Sequence, residues 1–209
     1  MATTDSQRRG AAVVSALKLE YFTVGWNVVE GIIGVAAALV AGSVALLAFG
    51  VDSFVESASG CVLIWRLLAE QRAADHHRIE AIEHRAQRLV AISLIALAAF
   101  IAVDASSTLW QREEPSTSVV GIVLTALSLG VMWWLARAKR RVAHALNSRA
   151  MLSDAFQTTA CWWLSLVALI GLGLNLAFGW WWADPLAALG ITVFLMREAR
   201  EAWKGEDCC

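Results

Sequence analysis

The chain has 209 residues, 58% of them hydrophobic, and a mean hydropathy of +0.59. That balance excludes an ordinary soluble domain, because several apolar runs of about 20 residues would have to share one small core. The net charge of −1 carries little information, since the charges are sharply segregated along the chain. An all-α membrane protein with several transmembrane helices is expected.

The first ten residues are polar and carry Arg8 and Arg9. No short apolar core with a small-residue cleavage site follows, so no removable signal is expected and the first membrane helix itself directs insertion. Residues 1–19 read as a cytoplasmic N-terminal segment. Six apolar spans follow, at about 20–41, 43–68, 88–109, 118–137, 149–178 and 184–203. Each is long enough for a ~30 Å hydrocarbon core. Together they make a transmembrane unit over 20–203, and 204–209 reads as a short cytoplasmic tail with no soluble C-terminal domain. Gly42-Ser43 leaves room only for a tight turn between the first two spans. Pro115 follows Glu113 and Glu114 in the third connection. Pro185 follows Asp184, which reads as an N-cap with proline at the first helical position of span six.

Every Lys and Arg except Arg112 falls in the N-terminus, the 2–3 connection, the 4–5 connection or the C-terminus, or at the span ends beside them. The positive-inside rule makes that side cytoplasmic, with both termini inside. Trp110, Trp180, Trp181 and Trp182 then mark the outer interface, and Trp65, Trp134 and Trp203 the inner one.

The spans are not uniformly apolar. Asp52 and Glu56 lie in mid-span two, one helical turn apart on one face. A charge at the bilayer centre costs about 2.5–3.5 kcal/mol on insertion scales, so the pair marks an ion path. Span one carries Asn27 and Glu30 on a shared face. Span five carries Asp154, Thr158, Cys161 and Ser165 in one stripe, flanked by Gln157. Counted from the inner span ends, Glu30 and Glu56 lie about 15–18 Å deep. Glu30, Glu56, Thr158 and Cys161 are expected near the midplane, with Asp52 above and Asp154 below. Asn27, Thr158 and Ser165 taken singly also suit helix packing, and a lone Cys such as Cys161 suits a small filler role.

At these residues the chain resembles the cation diffusion facilitator, or cation efflux, family of six-span divalent-metal exporters. The stretch from Gly42-Ser43-Val44-Ala45-Leu46-Leu47 to Asp52-Ser53-Phe54-Val55-Glu56 is similar to the family's second helix. Glu30 with Gly34 is similar to its first helix, Ser148–Ala155 to the start of its fifth, and Ala183–Gly190 to the start of its sixth. The resemblance implies that Asp52 and Glu56 are metal ligands. It also places Thr158 and Trp162 at the family's two helix-five ligand positions, where a His or Asp and then an Asp are usual. Trp162 cannot bind a metal and Thr158 is a weak neutral ligand, so half of the usual tetrahedral set is missing. The short tail and the Asp154/Gln157 pair resemble the tail-less vesicular zinc-efflux branch.

The metal-ligand candidates are therefore Asp52, Glu56, Asp154, Gln157 and Thr158, with Asn27, Glu30 and Cys161 as accessory candidates. This oxygen-rich set suits Mn2+, Mg2+ or Fe2+ at least as well as Zn2+. Two carboxylates about 6 Å apart in low dielectric do not both stay charged, so one is expected to hold a proton until a metal expels it. In the 2–3 connection His77, Glu80 and His84 share a helical face. They read either as a surface metal site or as part of a solvated helix extension of mixed charge. Cys208 and Cys209 end the chain and receive no role.

The expected function is a secondary transporter exporting Zn2+, Mn2+ or Fe2+ from the cytoplasm by proton antiport. Its expected setting is a homodimer in a bacterial plasma (inner) membrane, with the lipid bilayer, the metal and protons as partners. No nucleic-acid partner, prosthetic group or enzymatic activity is expected. The alternative is a non-transporting metal-sensing or regulatory membrane protein that kept the fold but lost part of the site.

Overall fold

Small and apolar residues recurring every three or four positions give each helix one buried stripe, and these stripes face a common axis. The computed structural model describes residues 2–71, 92, 95, 96, 98–112, 116 and 118–204. Helix α1 runs Ala2–Ala41, α2 Val44–Gln71, α4 Val119–Leu146, α5 Arg149–Phe178 and α6 Ala183–Lys204. The described part of α3 is continuous over 98–111. The beginning of the expected third span, the His77/Glu80/His84 cluster and Cys208-Cys209 lie outside the described residues.

Two helices run well past the expected spans. Helix α1 begins at Ala2 rather than near residue 20, and α4 continues from the expected end at 137 to Leu146. The reason for the second is packing. Ala143 and Leu146 join Val13, Ala16, Leu17, Leu63, Leu67 and Met151 in an apolar layer shared by α1, α2, α4 and α5. By length and hydropathy, Gly10–Ala41, Val44–Leu68, Val119–Leu146 and Asp154–Phe178 qualify as membrane spans among the described residues. Helix α6 does not, because Arg197, Glu198, Arg200 and Glu201 crowd its second half. Its apolar stripe of Ala188, Ile191, Leu195 and Ala199 is nonetheless buried against α2, α3 and α5.

The four helices α1, α2, α4 and α5 form an inner bundle, and α3 and α6 pack on its α2/α5 side. Helix α2 is central, buried on most of its circumference. Its approach to α1 is close at Gly50, where an added Cβ would stand 2.7 Å from the Val35 backbone nitrogen and 3.0 Å from the Gly34 carbonyl carbon. Only glycine permits two helix backbones to meet there.

Both tight antiparallel turns are built alike, with a left-handed residue followed by a serine cap. Gly42 (φ 68) precedes Ser43, whose hydroxyl accepts from Leu46 N at 3.2 Å. Asn147 (φ 49) precedes Ser148, which accepts from Met151 N at 3.4 Å. Contacts between turns fix the alternation of the chain. Ser116 N donates to Ala41 O at 2.8 Å, and Ser43 Oγ donates to Asp184 Oδ1 at 2.6 Å, at one end of the bundle. Arg66 reaches Ser148 at 3.5 Å at the other.

Asp184 corrects the expectation of a cap on its own helix. It lies inside the first turn of α6, where Leu186 N bonds to Trp182 O. Its carboxylate instead caps α2, accepting from Val44 N at 2.9 Å and Ala45 N at 3.4 Å. The start of α2 is packed tightly beneath α6, so the acid finds its free amides across the interface rather than along its own chain.

Candidate cation pathway

Between two apolar layers the inner bundle encloses a column of polar side chains. One layer is that of Val13, Leu63, Leu146 and Met151. The other contains Ala38, Leu46, Phe49, Leu124 and Leu172. Helix α1 contributes Glu20, Thr23, Asn27 and Glu30, spaced three or four apart, and all are buried. Helix α2 contributes Asp52, Ser53 and Glu56. Helix α4 contributes Thr125, Ser128 and Lys139, and α5 contributes Asp154, Thr158 and Ser165.

The column is organised in levels. Nearest the end that carries Ser148, Lys139 Nζ donates to Glu20 Oε2 at 3.2 Å and to Asp154 Oδ2, joining α4, α1 and α5. One turn further along α5, Thr158 Oγ1 donates to Glu56 Oε1 at 2.7 Å. Beyond it, Ser53 Oγ donates to Glu30 Oε2 at 3.1 Å, and Ser165 and Ser128 pair at 3.2 Å. Glu30, Asp52 and Glu56 lie close enough to act on one another electrostatically, and the buried Cys161 of α5 is near them.

The structure therefore brings Asp52, Glu56, Thr158, Glu30 and Cys161 together. Asp154 stands apart on the Lys139 level, and Gln157 is half-buried at the edge of the α5 stripe. Asn27 is fully buried between these levels, with both side-chain polar atoms unpartnered. Trp162 packs half-buried against the cluster of Met132, Leu135 and Cys161, of which Cys161 is buried and lies near the acidic pair. Among the described residues, no three His, Cys, Asp or Glu side chains gather closely enough to hold a metal ion. Three of the acids are held at separate levels by donors on other helices: Glu56 by Thr158, Glu30 by Ser53 and Asp154 by Lys139, which also holds Glu20. Several carboxylate oxygens remain buried without a donor, namely Glu20 Oε1, Glu30 Oε1, Glu56 Oε2 and Asp154 Oδ1. Such atoms are rare in folded proteins and call for a proton, a water or an ion beside them.

Sequence reasoning missed Glu20 and Lys139. Lys139 sits in the run Arg137-Ala138-Lys139-Arg140-Arg141, which reads as a solvated connection. Register separates it from its neighbours: it continues the buried stripe Ser128, Met132, Leu135, Ala136, whereas Arg137 and Arg140 fall outside that stripe. Glu20 likewise continues the Thr23, Asn27, Glu30 face by one step.

Long apolar helices around a buried acidic column define a multi-pass membrane protein with an acidic interior. Residues 22–204 match the family described as the cation efflux transmembrane domain. The chain belongs to the cation efflux family. An uncharacterized transporter of Synechocystis, sll1263, is 32% identical over 159 residues, covering 73% of this chain and 50% of that protein. The cation-efflux pump FieF of Shewanella oneidensis is 28% identical over 170 residues, covering 77% and 55%. FieF of Klebsiella pneumoniae is 29% identical over 164 residues, covering 76% and 53%. The chain thus spans about half the length of the curated relatives it matches.

Proposed function

We propose that the chain is a secondary transporter that moves a divalent metal cation out of the cytoplasm in exchange for protons. The observation that carries this reading is the Asp52–Glu56 pair, which lies inside the inner bundle beside Glu30, Thr158 and Cys161 with Glu56 Oε2 lacking a donor. Carboxylates in that setting cannot all remain charged, so they hold protons until a cation displaces them. Asp52 and Glu56 are the principal ligands, with Thr158, Glu30 and Cys161 completing the shell as the helices close on the ion. Asp154 and Gln157 line the approach from the cytoplasm, and Asn27 lines the column between Glu20 and Glu30. Carboxylate oxygens favour Mn2+ or Fe2+, while the one thiol admits Zn2+. The basic segments face the cytoplasm of a bacterial plasma membrane, and the working unit is a homodimer. FieF is named a cation-efflux pump in several bacteria, which supports the direction of transport.

The test is metal-driven proton flux in proteoliposomes. Asp52→Ala abolishes it, and unchanged flux in that variant would end the antiport reading. A second reading, a metal-sensing or regulatory protein without transport, is favoured by the dispersal of the acids over separate levels. A metal-sensitive host separates the two: a transporter restores growth with wild type and not with Glu56→Ala, whereas a regulator restores growth with neither.

A further inference from the structure

Lys139 is fully buried, and so are Glu20 and Asp154 beside it. A buried ammonium needs full ionic compensation, and it has two carboxylate partners drawn from two other helices. Each of these carboxylates uses one oxygen on Lys139 and leaves the other, Glu20 Oε1 and Asp154 Oδ1, buried without a donor. Two carboxylates thus present four oxygens, of which the ammonium occupies half. With both ionised they exceed the ammonium by one in formal charge, so a proton held on the pair balances the group and must leave when a metal binds. A divalent cation in its place balances the pair and takes the vacant oxygens, a hard-ligand set suited to Mn2+. The group is adjacent to the Glu56 level, because Thr158, which donates to Glu56, also bonds the Asp154 carbonyl at 3.2 Å.

We propose that Glu20 and Asp154 form a cation-binding station next to the Asp52–Glu56 level, on its cytoplasmic side, occupied in this conformation by the tethered ammonium of Lys139 and taken over by an incoming divalent cation that displaces it. The station rests on the cation-transport reading above and adds an intermediate site to it. Displacement requires the Lys139 ammonium to leave both carboxylates, for which its flexible four-carbon stem provides the freedom. While in place it ties α1, α4 and α5 together, and cargo at the station releases that tie.

The experiment is Mn2+ binding to the full chain in lipid nanodiscs, with free Mn2+ read by electron paramagnetic resonance. Lys139→Gln is expected to bind one more Mn2+ per chain than wild type, or the same number at least tenfold more tightly. Lys139→Arg is expected to behave as wild type, and Asp154→Asn added to Lys139→Gln to abolish the gain. Glu56→Ala added to Lys139→Gln keeps the gain, which distinguishes failure of the station from failure of the Asp52–Glu56 site. Equal Mn2+ number and affinity in Lys139→Gln and wild type would overturn the proposal, as would a gain that survives Asp154→Asn. If Lys139→Gln does not fold, wild type decides. Acylation of Lys139 by a membrane-permeant amine reagent, read by peptide mass, is expected to rise severalfold with saturating Mn2+, and Mn2+-independent acylation would overturn the proposal.

Discussion

Thr158 is a poor metal ligand by type, yet its hydroxyl holds one of the two central carboxylates. It donates to Glu56 Oε1 at 2.7 Å in a site from which water is excluded. Removing a hydrogen bond to a charged or ionisable group in such a place costs about 1.5–3 kcal/mol. Thr158→Val, which keeps the volume, is therefore expected to lower unfolding stability in detergent by that amount and to weaken metal-driven flux, with Thr158→Ser close to wild type. Equal stability of the Val variant and wild type would show that Glu56 needs no donor. At this scale the residue type and helix face of Asp52, Glu56, Glu30 and Thr158 were legible, because charge inside an apolar run is conspicuous. Lys139 and Glu20 were not, because each lies at the edge of a run where charge is ordinary. Only their register with the buried stripe distinguishes them.

Asp184 couples two elements that are far apart in sequence. Its carboxylate accepts from Val44 N, Ala45 N and Ser43 Oγ, so the start of α2 is capped by a residue of α6. Loss of an N-cap costs about 0.5–2 kcal/mol, and this cap also holds the first turns of two helices together. Asp184→Ala is expected to lower thermal stability within that range and to speed amide hydrogen exchange at Val44–Leu47 in detergent. Exchange unchanged at those amides would mean that the cap is not energetically coupled to α2. The sequence marked Asp184 as a capping acid but, from its place before Pro185, assigned it to its own helix. Which helix it caps depends on how α6 lies against α2, and no local pattern encodes that. The same reasoning applies to Gly34 and Gly50. Small residues announce close packing, but their meeting within about a backbone's width is a property of the pair of helices.

For the whole molecule, orientation follows from where the basic residues lie. Gln111 and Ala145 are both exposed, near opposite ends of the bundle. In a chain freed of its native cysteines, Gln111→Cys is expected to react with an impermeant thiol reagent added to intact cells. Ala145→Cys is expected to react only after lysis, and the reverse pattern would invert the topology.

Hydropathy, the segregation of Lys and Arg and the helix-face spacing of the acids were enough, by themselves, to make this an all-helical, multi-pass membrane protein with an acidic path. Those properties are sums over local sequence, set by the cost of burying charge and backbone in lipid. The tertiary structure alone decided which polar groups face one another: Thr158 with Glu56, Ser53 with Glu30, Lys139 with Glu20 and Asp154, and Asp184 with the start of α2. The physical reason is that such pairings depend on the relative rotation and depth of separate helices. A shift of one residue turns a side chain by about 100° and changes its partner.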